Sequence, residues 1–159
     1  MTVNQNGLLL HAGEGPSYSV AGVSYTFKAV GENTGEAYAL FELVVPPQCG
    51  TPPHTHQWED EAFYIQEGEV EFQLDEQTLI ATAGTFLHSP KGQLHRLTNI
   101  GATPARMLCW VIPAGLEKFL AEVGQQLESP SSPPPPVTRE DLEKILAAAP
   151  KYGLEIATQ

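Results

Sequence analysis

Basic side chains are scarce: eight Lys and Arg stand against 19 Asp and Glu in 159 residues, a formal charge of -11. A surface so poor in cations cannot supply the phosphate neutralisation on which sequence-independent nucleic-acid binding rests, and anionic lipid repels it. Long apolar runs are also missing. No stretch approaches the roughly 18 residues of a membrane span, and the start, MTVNQNGLLLHAGEGP, lacks the basic flank and apolar segment of an export signal. Nucleic acid and membrane are therefore poor partners, and a cytoplasmic location is the expectation. Cysteine is limited to Cys49 and Cys109, too few for a disulfide framework, so two reduced thiols are expected. Cys109, inside Leu108-Cys109-Trp110-Val111-Ile112, reads as core; Cys49, just before a histidine pair, reads at most as the rim of a site.

What is present is enough for one core. A hydrophobic fraction of 42% over this length fits one folded domain. Up to Ile112, β-branched and aromatic runs recur: 23–27, 38–45, 62–66, 69–74, 78–82 and 107–112. Between them stand turn formers such as Gly31 to Gly35, Pro46-Pro47, Glu67-Gly68 and Ala83-Gly84. That rhythm predicts an all-β sandwich or barrel. The run Tyr38 to Val45 is apolar on both alternating faces, as in a strand covered on both sides. After Pro113 the period changes. Leu116, Phe119, Leu120 and Val123 make one helical stripe, and Leu142, Ile145, Leu146 and Ala149 a second behind a Thr138 N-cap. Residues 129–136 (SPSSPPPP) cannot continue the helix and read as an extended polyproline tether, with a ligand for an SH3-like groove as the sharper alternative that nothing else supports. The division is thus a β-barrel with N-terminal strands over 1–113 and a helical extension over 114–159. The second helix, too short to stand alone, must dock on the barrel or on a partner.

The chemistry concentrates in Pro53-His54-Thr55-His56-Gln57-Trp58-Glu59-Asp60-Glu61. Alternate residues of a strand share a face, so His54 and His56 can converge on one ion at about 2.0–2.1 Å each. Glu61 follows near enough to fold alongside, and His95 arrives later in Gly92-Gln93-Leu94-His95. Three neutral imidazoles and a carboxylate suit one divalent transition ion, Fe, Mn, Ni, Cu or Zn, with positions left for small ligands. Taken alone, H-x-H in a strand is more often a pair of surface or packed histidines.

The wider pattern decides otherwise. His54-x-His56-x4-Glu61-x6-Gly68 resembles the first motif of the cupin superfamily, and Gly84-x5-Pro90-x-Gly92-x2-His95-x3-Asn99 resembles the second. One departure stands out: the glycine that leads the first motif is displaced, Gly50 lying too near His54 and Gln48 close to the expected place. The resemblance implies a cupin double-stranded β-helix, or jelly-roll barrel, with short C-terminal helices. It carries His54, His56, Glu61 and His95 over as metal ligands. It is similar in kind to single-domain quercetin-dioxygenase-like cupins, which implies a mononuclear non-haem dioxygenase acting on a small enol, diketone or phenolic compound. A metal-dependent binding cupin without turnover and a non-redox isomerase with a Lewis-acid ion stay open, because the fold hosts all three.

Glu61 has a second role under the oxidative reading, as a general base. Phe63 and Ile65 share its parity and face the barrel interior, as core or as substrate wall. Gln57 and Trp58 are placed at the rim or in a surface loop. His88 falls outside the ligand pattern and reads as structural; His11 has no partner. Exposed strand edges and the doubly apolar segment predict a homodimer.

Overall fold

Strand alternation builds the molecule, whose computed structural model describes residues 7–157. In Ala39–Val45 every second side chain, Ala39, Phe41, Leu43 and Val45, is buried, the period-two signature of a pleated strand on a core. Twelve strands are formed among the described residues: β1 (Ser17–Val20), β2 (Val23–Ala29), β3 (Ala39–Val45), β4 (His54–His56), β5 (Asp60–Glu67), β6 (Glu69–Leu74), β7 (Gln77–Thr82), β8 (Phe86–Ser89), β9 (His95–Asn99), β10 (Ala105–Ile112), β11 (Gln125–Leu127) and β12 (Leu154–Ile156). They form two antiparallel sheets, one ordered β11-β1-β2-β3-β10-β5-β8 and the other β12-β4-β9-β6-β7. The sheets meet face to face. Phe63 of β5 and Phe72 of β6 pack across the gap as a tilted pair with 5.1 Å between ring centres, with Phe41, Leu43, Ile65, Leu97 and Met107 buried in the same core. This is the all-β double-stranded helix expected from the turn rhythm and the two motifs.

The outer face of β3 is covered in part by the chain itself. Leu40, Glu42 and Leu108 share a groove with Leu8, Leu10 and His11, and the Lys28 ammonium ties that segment down by donating to the carbonyls of Glu14 (2.7 Å) and His11 (3.3 Å). Farther along the same sheet Tyr64, Phe86 and Ile112 remain exposed, and the Phe86 and Trp110 rings lie 6.1 Å apart.

The segment after Pro113 is woven into both sheets. A one-turn helix α1 (Gly31–Thr34) precedes β3; α2 (Leu116–Val123) and α3 (Arg139–Ala148) come after β10, with a 3-10 turn over Ala149–Tyr152. The α2 stripe, Leu116, Phe119, Leu120 and Val123, is wholly buried. Thr138 caps α3 as its position suggests: its hydroxyl accepts from the Asp141 amide, and its own amide donates to the Asp141 carboxylate. The α3 stripe is only half sunk. Ile145 and Ala149 are buried, whereas Leu142 and Leu146 are 48% and 46% exposed. Residues 133–138 carry no regular structure. The extension also adds β11 to the edge of β1 and β12 to the edge of β4, two three-residue strands that periodicity cannot signal.

Candidate metal centre

Strands β4 and β9 pair so that His54 stands directly opposite His95. His56, two residues on, keeps the same face, and its own strand is pinned on the other side by Leu154 of β12. Glu61 comes from the facing sheet, on β5 between Val111 and Ser89. The two sheets thus deliver three imidazoles and one carboxylate to one point. The ring centres are 4.4 Å (His54 to His95), 5.0 Å (His54 to His56) and 5.4 Å (His56 to His95) apart. One ligand atom from each of the four residues falls within 4.8 Å of all the others, close to the about 4.2 Å that separates opposite ligands of one ion.

Each histidine is held by its other nitrogen. His54 Nδ1 donates to the Pro52 carbonyl at 2.7 Å. His56 Nδ1 donates to the buried Glu59 carboxylate at 2.7 Å. His95 Nδ1 faces the Gln93 carbonyl at 3.2 Å and the Ser89 hydroxyl at 3.3 Å. With Nδ1 committed as donor, Nε2 is the nitrogen left to face the centre, the arrangement a metal requires.

The buried polar atoms test the fit. Among the described residues, His56 Nε2, Glu61 Oε2 and His95 Nε2 are buried without a hydrogen-bond partner, a state that costs free energy unless something else satisfies them. His56 Nε2 and Glu61 Oε2 face each other at 2.5 Å. The field there favours a cation. Burial, reinforced by the neighbouring imidazoles of His95 and His56, pushes His54 down to about 3, so it is a neutral donor. At His56 burial also pulls down, but Glu61 and Glu59 outweigh it and hold the ring up to about 10. Burial likewise works to raise Glu61, yet His56 and His95 keep it well below the usual carboxylate range. Glu59 and Glu61 together favour positive charge at this point, carried by a proton on His56 or by a divalent ion that displaces it.

Several other side chains take places that the sequence did not assign. Cys109 is more than plain core: its thiol donates to Glu61 Oε1 at 3.5 Å, and burial, then Glu61, push its pKa well up, keeping it a thiol. Tyr25 lies at the same wall with its phenol kept neutral, chiefly by burial. Glu59 fixes His56; its signal was only a carboxylate three residues on, at the turn before β5. Of the pair expected inside, Phe63 lines the cavity over the cluster, whereas Ile65 lies deeper, opposite Met107 of β10, and does not. Trp58 and Gln57 are exposed and off that cavity; Trp58 packs over Gly153. Cys49 is half-buried against the core. His88 is exposed on β8, so the structural histidine expected there is instead a surface one. Both cysteines are free, and no described helix is long and apolar enough to cross a membrane.

The family model described as Cupin domain matches residues 41–111, which hold all four cluster residues. This stretch is a cupin domain. An uncharacterized protein from Methanocaldococcus jannaschii is 32% identical over 79 residues, half of this chain and 63% of the relative. Quercetin 2,3-dioxygenase from Bacillus subtilis is 24% identical over 120 residues, 76% of this chain but 35% of that enzyme. The chain therefore spans less than two thirds of either relative's length. Among solved structures, an RmlC-like cupin from Shewanella frigidimarina superimposes with a TM-score of 0.60 at 16% identity, covering 74% of this chain and 99% of that one. That likeness concerns the fold alone.

The cupin frame explains the displaced glycine. Gln48 sits at φ 63°, the left-handed region that glycine favours, so the backbone keeps a glycine-type turn without the glycine. Gly50 serves a different need. A Cβ there would stand 2.0 Å from the Leu97 carbonyl oxygen, where the loop crosses β9. Gln48→Gly should therefore stabilise the protein by about 0.5–1 kcal/mol, as the removed left-handed penalty exceeds the entropy glycine adds. Urea denaturation measures this, and a destabilised variant would count against it.

Proposed function

We propose that the cupin domain holds one divalent transition metal through His54, His56, Glu61 and His95. It would use that ion in a dioxygenase-type reaction on a small enol, diketone or phenolic compound. The observation that carries the metal is the convergence of three Nε2 atoms, each with its Nδ1 tied back, on a buried carboxylate from the opposite sheet. The bound ion would supply Lewis acidity toward a substrate oxygen and, if redox-active, a route to dioxygen. Similarity to quercetin 2,3-dioxygenase across 76% of the chain favours the oxidative branch over an isomerase or a binding module.

In this reading the protein's own groups divide the work. His54 and His95, cross-strand partners, fix the centre to one sheet, and Glu61 clamps it to the other. Glu61 is also the base, because a carboxylate oxygen loosened from the ion can accept the proton of an enol or phenol lying beside it. Phe63 and Leu97 exclude water from that transfer.

Glu61→Gln is expected to retain most of the metal while losing turnover by about a hundredfold or more. Elemental analysis alongside oxygen uptake with small diketones and phenols measures both. Equal activity in the variant would remove the base role, and protein purified with Zn alone and showing no oxygen uptake would remove the dioxygenase reading.

Assembly as a homodimer is part of the same proposal. The exposed Tyr64, Phe86 and Ile112 with half-buried Trp110 make an apolar patch on the outer face of the larger sheet, and closed two-fold dimers are the commonest way to cover such a face. Light scattering at micromolar concentration should give twice the chain mass; a monomer would reject it.

A further inference from the structure

The cluster opens into a chamber of about 330 Å³, and its walls carry information that the metal ligands do not. Beneath lie Leu43, Phe63 and Leu97 of the barrel. The roof is Leu116, Phe119 and Leu120 of α2, joined by Leu142, Ile145 and Leu146 of α3. The extension thus makes much of the cavity that the barrel alone would leave open. All eight Lys and Arg fall in the described residues, and none lines the chamber. No side chain there can pair with a phosphate or with a second carboxylate. Hydroxyls fare little better. The Thr51 hydroxyl already accepts from the Leu97 amide and the Cys109 thiol is turned to Glu61, which leaves Tyr25. A polyol buried here would lose roughly ten- to a hundredfold in affinity for each unpartnered hydroxyl.

The mouth is apolar as well. Leu142 and Leu146, one helical turn apart on α3, line the chamber and yet stand about half exposed. They form a rim that an apolar ligand entering the chamber would cover.

We infer that the chamber selects an amphiphile: a single oxygen-bearing head, carboxylate or enolate, at the His–Glu cluster, and an apolar body against α2 and α3. At about 30 Å³ per water-sized group the volume takes on the order of ten non-hydrogen atoms. Dicarboxylates, sugar acids and phosphorylated sugars are excluded by the missing cations and donors. The head-group half rests on the metal reading above; the apolar half rests on the walls.

Calorimetric titration of the full chain loaded with one equivalent of Ni(II), using n-alkanoates from acetate to octanoate, tests it, with oxalate and gluconate as polar controls. Each added methylene should tighten binding about threefold to fourfold until the chamber fills, and both controls should bind more weakly than octanoate. Leu146→Asn, at the exposed rim, should keep the Ni(II) content and the acetate affinity while flattening the series. A flat series in the unmodified protein, or oxalate or gluconate binding as tightly as octanoate, would overturn the inference while leaving the metal reading intact. Failure to take up Ni(II) would instead overturn the metal reading and with it the head group. In that protein a persisting chain-length slope still supports the apolar chamber, and a flat one rejects it.

Discussion

His95→Ala is expected to lower metal affinity by at least about a hundredfold, from one ion per chain to near none, while the fold survives. His95 is the one ligand from β9, and its ring faces both His54 and His56. Without it the remaining ligands are two strand neighbours and a carboxylate across the gap, three donors with one side of the centre undefended. The ring is buried, so the variant also carries a small cavity, but the strand pairs of β9 with β6 run through backbone and are unaffected. Elemental analysis after dialysis reads the metal. Thermal unfolding gives a second readout: metal at a hundred times its dissociation constant should stabilise the parent by about 2.7 kcal/mol, a gain that chelator removes and that the variant never shows. A variant that still takes up one ion with a similar melting shift would refute the ligand assignment.

Asn99→Ala should be the costliest of the polar substitutions for stability, at about 3 kcal/mol. Asn99 has no exposed surface, and its amide group is fully used. The side-chain nitrogen donates to the carbonyls of Val45 (2.9 Å) and Thr103 (2.8 Å), and its oxygen accepts from the Gly101 amide at 2.9 Å. One residue thus ties the end of β9 to the end of β3 in the opposite sheet and to the turn before β10. Alanine strands the buried Val45 carbonyl and leaves a void. Urea denaturation should show a lower midpoint with an unchanged slope; a loss below about 1 kcal/mol would mean that the three bonds are not cooperating. Metal content of the folded variant should remain at one per chain, separating a structural role from a ligand role.

These two residues belong to one sequence motif, and its fixed positions explain why so much could be read in advance. His54, His56, Glu61 and His95 are specified by spacing within short strands, and strand parity is a local property. The α2 stripe and the Thr138 cap are local too. What stayed hidden depends on partners distant in the chain. Leu154-Glu155-Ile156 is too short to show alternation, so nothing marked it as the strand flanking His56. Leu142 and Leu146 have the period of buried residues, and only the chamber beneath them explains why they are half exposed. Cys109 sits in a run apolar enough to conceal that its thiol meets a ligand carboxylate. Glu59 is the exception: its partner His56 is only three residues away, but in so acidic a chain a carboxylate at that spacing carries no signal of its own.

The pairing of β12 with β4 bears on how the centre comes into being. The strand that carries two of the three histidines is only three residues long. Its neighbours arrive late: His95 some forty residues afterwards and Leu154 roughly a hundred. Contacts so distant along the chain are slow to close. During synthesis, a partly made chain would present β4 as a bare edge, able to capture metal or another strand before its own flank exists. Pairing of β12 with β4 covers that edge, so that Leu154–Ile156 act as the clasp on the histidine strand.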